Sequence, residues 1–158
     1  MKSIVKDFIE YTGISEDLPI HPHSFKSLNL QETLTMPSNK PNIKELVKVM
    51  IDTNIVETRV IKTPKATSLE GNILTGWNLI VEGKLKLKIG YIEDSDKEEI
   101  HFSNFSLPFS TNIVLPEYFK ASNSVNVDGY IESVSAKRLN KREIFHNTII
   151  FLNAVIYR

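Results

Sequence analysis

Residues 76–91 constrain the fold of this chain more than any other stretch. From Trp77 the odd positions carry Trp77, Leu79, Val81, Gly83, Leu85, Leu87, Ile89 and Tyr91, while Asn78, Glu82, Lys84, Lys86 and Lys88 fall on the even ones. A period of two predicts a β-strand with one face in a core and the other in water. A helix would scatter the same residues around its circumference. Gly83 breaks the apolar row. It marks a bulge, a sharp bend, or a neighbour that packs too close for a side chain. The stretch predicts a central strand, or a bent pair of strands, on which a sheet assembles. It explains a core and carries no chemistry.

The flanking segments extend this pattern. Leu28, Leu30, Leu34 and Met36 alternate until Pro37. Residues 38–46 read as a turn followed by one helical turn. Val47, Val49, Ile51, Thr53 and Ile55 share one face, and a second apolar register follows at Val56 and Val60. Their β-branched density favours strand. Residues 63–68 read as a loop containing Pro64, and residues 92–100 as an acidic turn. Phe102, Phe105, Leu107, Phe109, Ile113 and Leu115 form a stretch punctuated by Pro108 and Pro116, which predicts a sheet edge or corner. A strand at 124–135, a charged hairpin turn at 138–142 and a last strand at 143–157 complete the chain. Residues 149–157 are apolar on both faces, so this last strand is predicted to be central or covered. The whole reads as all-β, a β-sandwich or partly open barrel of antiparallel strands.

The N-terminal 27 residues differ in pattern. Ile4, Val5, Phe8, Ile9 and Tyr11 sit at helical spacing, which fits a short amphipathic helix and leaves a strand open. Residues 13–27 hold Pro19 and Pro22 and read as a stiff arm. The domain organisation predicted is an arm at 1–27 and a single β domain at 28–158. The apolar residues Ile4, Val5, Phe8, Ile9 and Tyr11 are candidate interaction residues. They would dock on a neighbouring subunit, by strand addition or as a helix in a groove, or fold back on their own domain.

Composition narrows the function classes. The 158 residues carry 19 basic and 19 acidic side chains, a formal net charge of zero, which argues against broad capture of nucleic acid. Zero net charge is compatible with self-association. With no cysteine, the chain has no disulfide framework, thiolate metal site or cysteine nucleophile. No run approaches the ~20 apolar residues of a membrane span, and the N-terminus reads as lacking a signal peptide.

Candidate sites are few. His21 and His23, two apart in an extended segment, point the same way, but a zinc site takes three or four ligands. Two solvated histidines are the plainer reading. Glu93, Asp94, Asp96, Glu98 and Glu99 lack the spacing and central glycine of a calcium loop and read as a solvated turn. Lys84, Lys86 and Lys88 line one face of a strand. They suit an anionic glycan or a nucleic-acid backbone; the plainer reading is the wet face of a half-buried strand, or a guard against edge pairing. Trp77 and Tyr91 fall on the opposite face. No nucleophile elbow, phosphate loop or zinc-protease motif is present. No catalytic residue, metal or cofactor is predicted.

Several of these stretches together resemble the SPOCS domain of spore-coat-associated proteins from clostridia-like spore-formers. Residues 31–37 (QETLTMP) and 40–46 (KPNIKEL) resemble its opening. Residues 81–85 (VEGKL) with 89–91 (IGY) are similar to its central signature, and 108–116 (PFSTNIVLP) to a later proline-bounded strand. The likeness covers about residues 31–157. Asn42 departs from it, standing where the family often has Asp. The resemblance implies a non-enzymatic structural protein of the spore envelope, coat or exosporium, made in the mother-cell cytoplasm. It would pack as a homo-oligomer or with other coat proteins. The alternative is a binding or adaptor module for an envelope polymer, a glycan for example, or for a coat morphogenetic protein.

Overall fold

The computed structural model describes residues 2–158. Eight strands follow one another: β1 (Lys2–Lys6), β2 (Ile9–Ile14), β3 (Ser24–Thr35), β4 (Ile43–Thr67), β5 (Ile73–Glu93), β6 (Ile100–Val114), β7 (Ser124–Arg138) and β8 (Glu143–Tyr157). No helix occurs among the described residues. The strands form a five-stranded sheet in the order β1-β2-β4-β5-β6 and a three-stranded sheet in the order β3-β8-β7. Every pairing is antiparallel except β2 with β4. Neither sheet closes on itself, so the architecture is a β-sandwich and not a barrel.

The alternation along 76–91 predicts β5 correctly. Leu79, Val81, Leu85, Leu87, Ile89 and Tyr91 are buried, and Lys84, Lys86 and Lys88 are exposed. The buried set joins Ile144, Ile150 and Leu152 of β8 in one hydrophobic cluster between the sheets. β8 is the middle strand of its sheet, which accounts for apolar residues on both of its faces.

The close-neighbour reading of Gly83 holds, and a bulge lies opposite it in β4. A Cβ there would lie 2.4 Å from Cζ of Phe109 and 2.7 Å from the carbonyl oxygen of Asn54. Opposite it, the register slips between Ile55 and Glu57. That bulge shifts the phase of β4: Val49 and Ile51 are buried before it, and Thr58 and Val60 pair with Val81 and Leu79 beyond it. The second apolar register at Val56 and Val60 follows from this one inserted residue.

Four local expectations are corrected. The helix option at the N-terminus gives way to a hairpin, β1 with β2, turning at Asp7 and Phe8. Ile9, Tyr11 and Ile14 enter the core because β2 pairs in parallel with residues 48–50 of β4. That partner lies some forty residues away in the chain, so local spacing could not display it. Residues 43–46 open β4 instead of making a helical turn, since Ile43 is wholly buried and its N–H donates to the Lys141 carbonyl at 2.9 Å. Residues 63–67 continue β4, and Pro64 is absorbed where the register shifts between Lys62 and Lys65. The turn lies at 68–72, where Ser68 N–H donates to the Asn72 carbonyl at 2.8 Å. The extended arm is shorter than expected, because β3 begins at Ser24.

The N-terminal hairpin also ties the two sheets together along one seam. Ser15 N–H donates to the Ile131 carbonyl at 2.9 Å, and Ile131 N–H donates to Ser15 Oγ at 3.0 Å. The Tyr11 hydroxyl accepts from Ala136 N–H at 3.0 Å and donates to the Ala136 carbonyl at 3.3 Å.

Candidate functional site

Three features of the surface could carry function, and each follows from the strand register. The first is the outer face of the larger sheet. Cross-strand neighbours put Thr12, Met50, Lys88 and Asn104 in one row, Asp52, Lys86 and Ser106 in the next, and Asn54, Lys84 and Pro108 in a third. The three lysines predicted to share a wet face do so. Lys88 Nζ sits 5.2 Å from the ring centre of Phe102. The first two rows border a depression of about 600 Å³, with Met50, Lys86 and Lys88 among its lining. Trp77 and Tyr91 do not join it. Tyr91 is fully buried and its hydroxyl donates to the Pro41 carbonyl at 2.9 Å. Trp77 meets Phe119 edge to face at 5.3 Å, beneath the β6–β7 loop.

The second feature is the tip of the N-terminal hairpin. The structure divides the five candidate interaction residues. Ile9 and Tyr11 belong to the chain's own core, Ile4 is half-buried against it, and Val5 and Phe8 face solvent. Phe8 is 96% exposed. Asp7 and Phe8 have φ of 52° and 66°, the left-handed region.

The third feature is the acidic turn between β5 and β6, where three loops meet. Glu93, expected in a solvated turn, is buried. It accepts from Ser95 Oγ at 2.8 Å and lies 3.0 Å from His101 Nε2. These hydrogen bonds, led by that from Ser95, hold its carboxyl below the usual carboxylate range. Lys141 pairs with Asp94 at 3.1 Å, and Lys44 pairs with Glu98. Arg142 fixes the neighbouring 36–42 loop by donating to the carbonyls of Pro37 at 2.6 Å, Lys40 at 2.7 Å and Met36 at 3.3 Å.

Glu93, Glu99 and His101 are the one trio among the described residues whose ligand atoms approach closely enough to share a metal ion, within 4.8 Å of one another. Two carboxylates and an imidazole suit a transition metal better than calcium, which takes six or more oxygens. Sequence reading missed this trio, although a hairpin turn at 92–100 makes Glu93 and His101 diagonal neighbours on one face. His21 and His23 lie exposed on the loop ahead of β3, with no third ligand among the described residues. His146 is buried in the core, where desolvation pushes its pKa down.

A family model described as SipL, SPOCS domain, matches residues 42–139, from the turn ahead of β4 to just past the end of β7. No curated protein and no solved structure matches the chain.

Proposed function

The chain belongs to the SPOCS-domain family, and from that membership we propose that it is a non-enzymatic structural protein of the bacterial spore envelope. The family ties the chain to sporulation. In this reading it is made in the mother cell and built into the coat or exosporium, packing against copies of itself or against other coat proteins. The observation that carries the reading is the match over 42–139, which takes in β4 to β7 and so both sheets of the sandwich. An exposed hairpin tip and an open sheet face supply surface for packing. The test is fractionation of sporulating cells that carry an epitope-tagged copy. The tagged chain is expected in the alkaline or detergent extract of purified spores. Recovery only from the mother-cell lysate, with none in purified spores, would overturn the reading.

A second reading rests on Lys84, Lys86 and Lys88, which lie exposed on one face. That row suits binding of an anionic envelope polymer. Retention on spore-wall glycan should then fall in the Lys84→Ala, Lys86→Ala, Lys88→Ala triple variant, and equal retention discards it.

A further inference from the structure

We propose that copies of this chain join head to tail, the Asp7–Phe8 tip of one seating in the Lys86–Lys88 depression of the next. The inference deepens the self-packing reading given under Proposed function and rests on it.

The tip is built at a cost. Two-residue hairpin turns with both central residues at positive φ favour Asn-Gly or Asp-Gly, because glycine escapes the steric penalty. Here the second position is a phenylalanine at φ 66°. A non-glycine residue in that region is sterically strained, its Cβ crowding the following carbonyl oxygen. At 96% exposure, Phe8 offsets almost none of that strain inside its own chain. Strain held at an exposed aromatic points to a contact made outside the chain.

The depression offers the complementary chemistry. Its lining includes Met50, Phe105, Lys86 and Lys88, with a volume of about 600 Å³, room for a phenyl ring and its neighbour. Lys86 and Lys88 line it against the single carboxylate of Asp52, a positive balance that suits an incoming Asp7. Lys88 already lies over the ring of its own Phe102, which leaves the Lys86 ammonium to sit over an incoming aromatic face. A chain cannot plug its own depression. Phe8, in the turn just ahead of β2, and Thr12, which lines the depression, are four residues apart, about 13 Å of extended chain. Plug and socket are therefore different surfaces of one molecule. Such a contact is heterologous and leaves a free plug and a free socket at the ends, so it propagates into rings or open filaments.

The experiment uses the full chain in sedimentation velocity and light scattering over a range of concentrations. Wild type is expected to grow beyond a dimer as concentration rises. Phe8→Ser and the Lys86→Glu, Lys88→Glu pair should each raise the concentration for half-association at least tenfold, with unchanged circular dichroism. Leu69→Ser, at the exposed tip of the β4–β5 hairpin, should leave association unaltered. Mixing Phe8→Ser, which keeps the socket, with the lysine pair variant, which keeps the plug, should give a heterodimer that stops at two subunits. Oligomers that persist undiminished in both variants would leave self-assembly standing and overturn the plug. The plug is equally overturned if Leu69→Ser alone disperses them, or if the mixture shows no heterodimer. A wild type that stays monomeric throughout overturns self-packing and plug together. Loss of anionic-polymer binding by the lysine variant with association intact would assign the face to the polymer instead.

Discussion

Gly83→Ala tests most directly how the centre of the larger sheet is packed. The new methyl would meet two obstacles, the edge of the Phe109 ring at 2.4 Å and the Asn54 carbonyl oxygen at 2.7 Å. The ring can tilt, but the carbonyl belongs to β4, the neighbouring strand. Overpacking of a filled core costs roughly 1–3 kcal/mol. Alanine restricts the unfolded chain more than glycine does, which returns about 0.4–1 kcal/mol. The net expectation is a loss of about 1–2 kcal/mol. For a chain of this size that lowers Tm by roughly 2–8 °C. Urea unfolding should show the midpoint falling with an unchanged slope, since the surface exposed on unfolding is the same.

Adding Phe109→Leu separates the two obstacles. It removes the ring edge and leaves the carbonyl, so the double variant should show coupling of about 0.5 kcal/mol or more relative to the sum of the singles. If Gly83→Ala is neutral or stabilising, the close-packing argument fails. Strict additivity of the pair would mean that Phe109 is not the obstacle.

Tyr11→Phe removes the hydroxyl that serves both Ala136 N–H and its carbonyl, and should cost about 1–3 kcal/mol; a neutral result would show that this seam adds nothing. Gly13→Ala should destabilise more than Gly83→Ala, because φ is 113° and the added Cβ would lie 2.0 Å from the Ile51 carbonyl oxygen. Arg142→Lys keeps the charge but cannot span the Pro37, Lys40 and Met36 carbonyls together, so amide exchange in residues 38–43 should speed up at least tenfold. Burial lowers the pKa of His146 below 6.5, outweighing the pull of Glu32 upward. The unfolded chain therefore takes up this proton first, and stability should decline as pH falls from about 6.5 towards the folded-state pKa. Unfolding measured at several pH values should lose that limb in His146→Leu. Glu93 adds a separate acid limb below its ordinary 4.5, present above that value and lost as pH falls through its depressed folded pKa.

What the sequence displayed and what it hid follow one physical divide. β5 lies between β4 and β6 with one face on the core and the other in water, so its sequence alternates from Leu79 to Tyr91 with Gly83 as the gap in the apolar row. β3 shows the same alternation at Leu28, Leu30 and Leu34. Even the β4 bulge was visible, as the phase change between Ile55 and Val60. Each of these signals is local. The N-terminal hairpin had none, because Asp7–Phe8 is not a preferred turn pair and positions 4, 5, 8, 9 and 11 satisfy a helix as well as they do a hairpin. Only the parallel partner residues 48–50 decide between the two. The strand start at Ile43 likewise depends on Lys141, almost a hundred residues on.

The same divide governs the candidate site. Lys84, Lys86 and Lys88 were legible as a row, since a strand's period places them. What lies beside them was not: Met50, Asp52, Asn104 and Ser106 come from two other strands, in a register no local pattern states. The tip was legible only as a set of apolar residues, and the register splits that set. Ile9 and Tyr11 are used up by the core, which holds the hairpin rigid, and Phe8 is left projecting from a fixed base. A rigid support lowers the entropy lost on association. The residues that look spent on folding are thus what would make the exposed aromatic an effective contact. A hairpin loosened by Tyr11→Phe should weaken association with Phe8 itself unchanged.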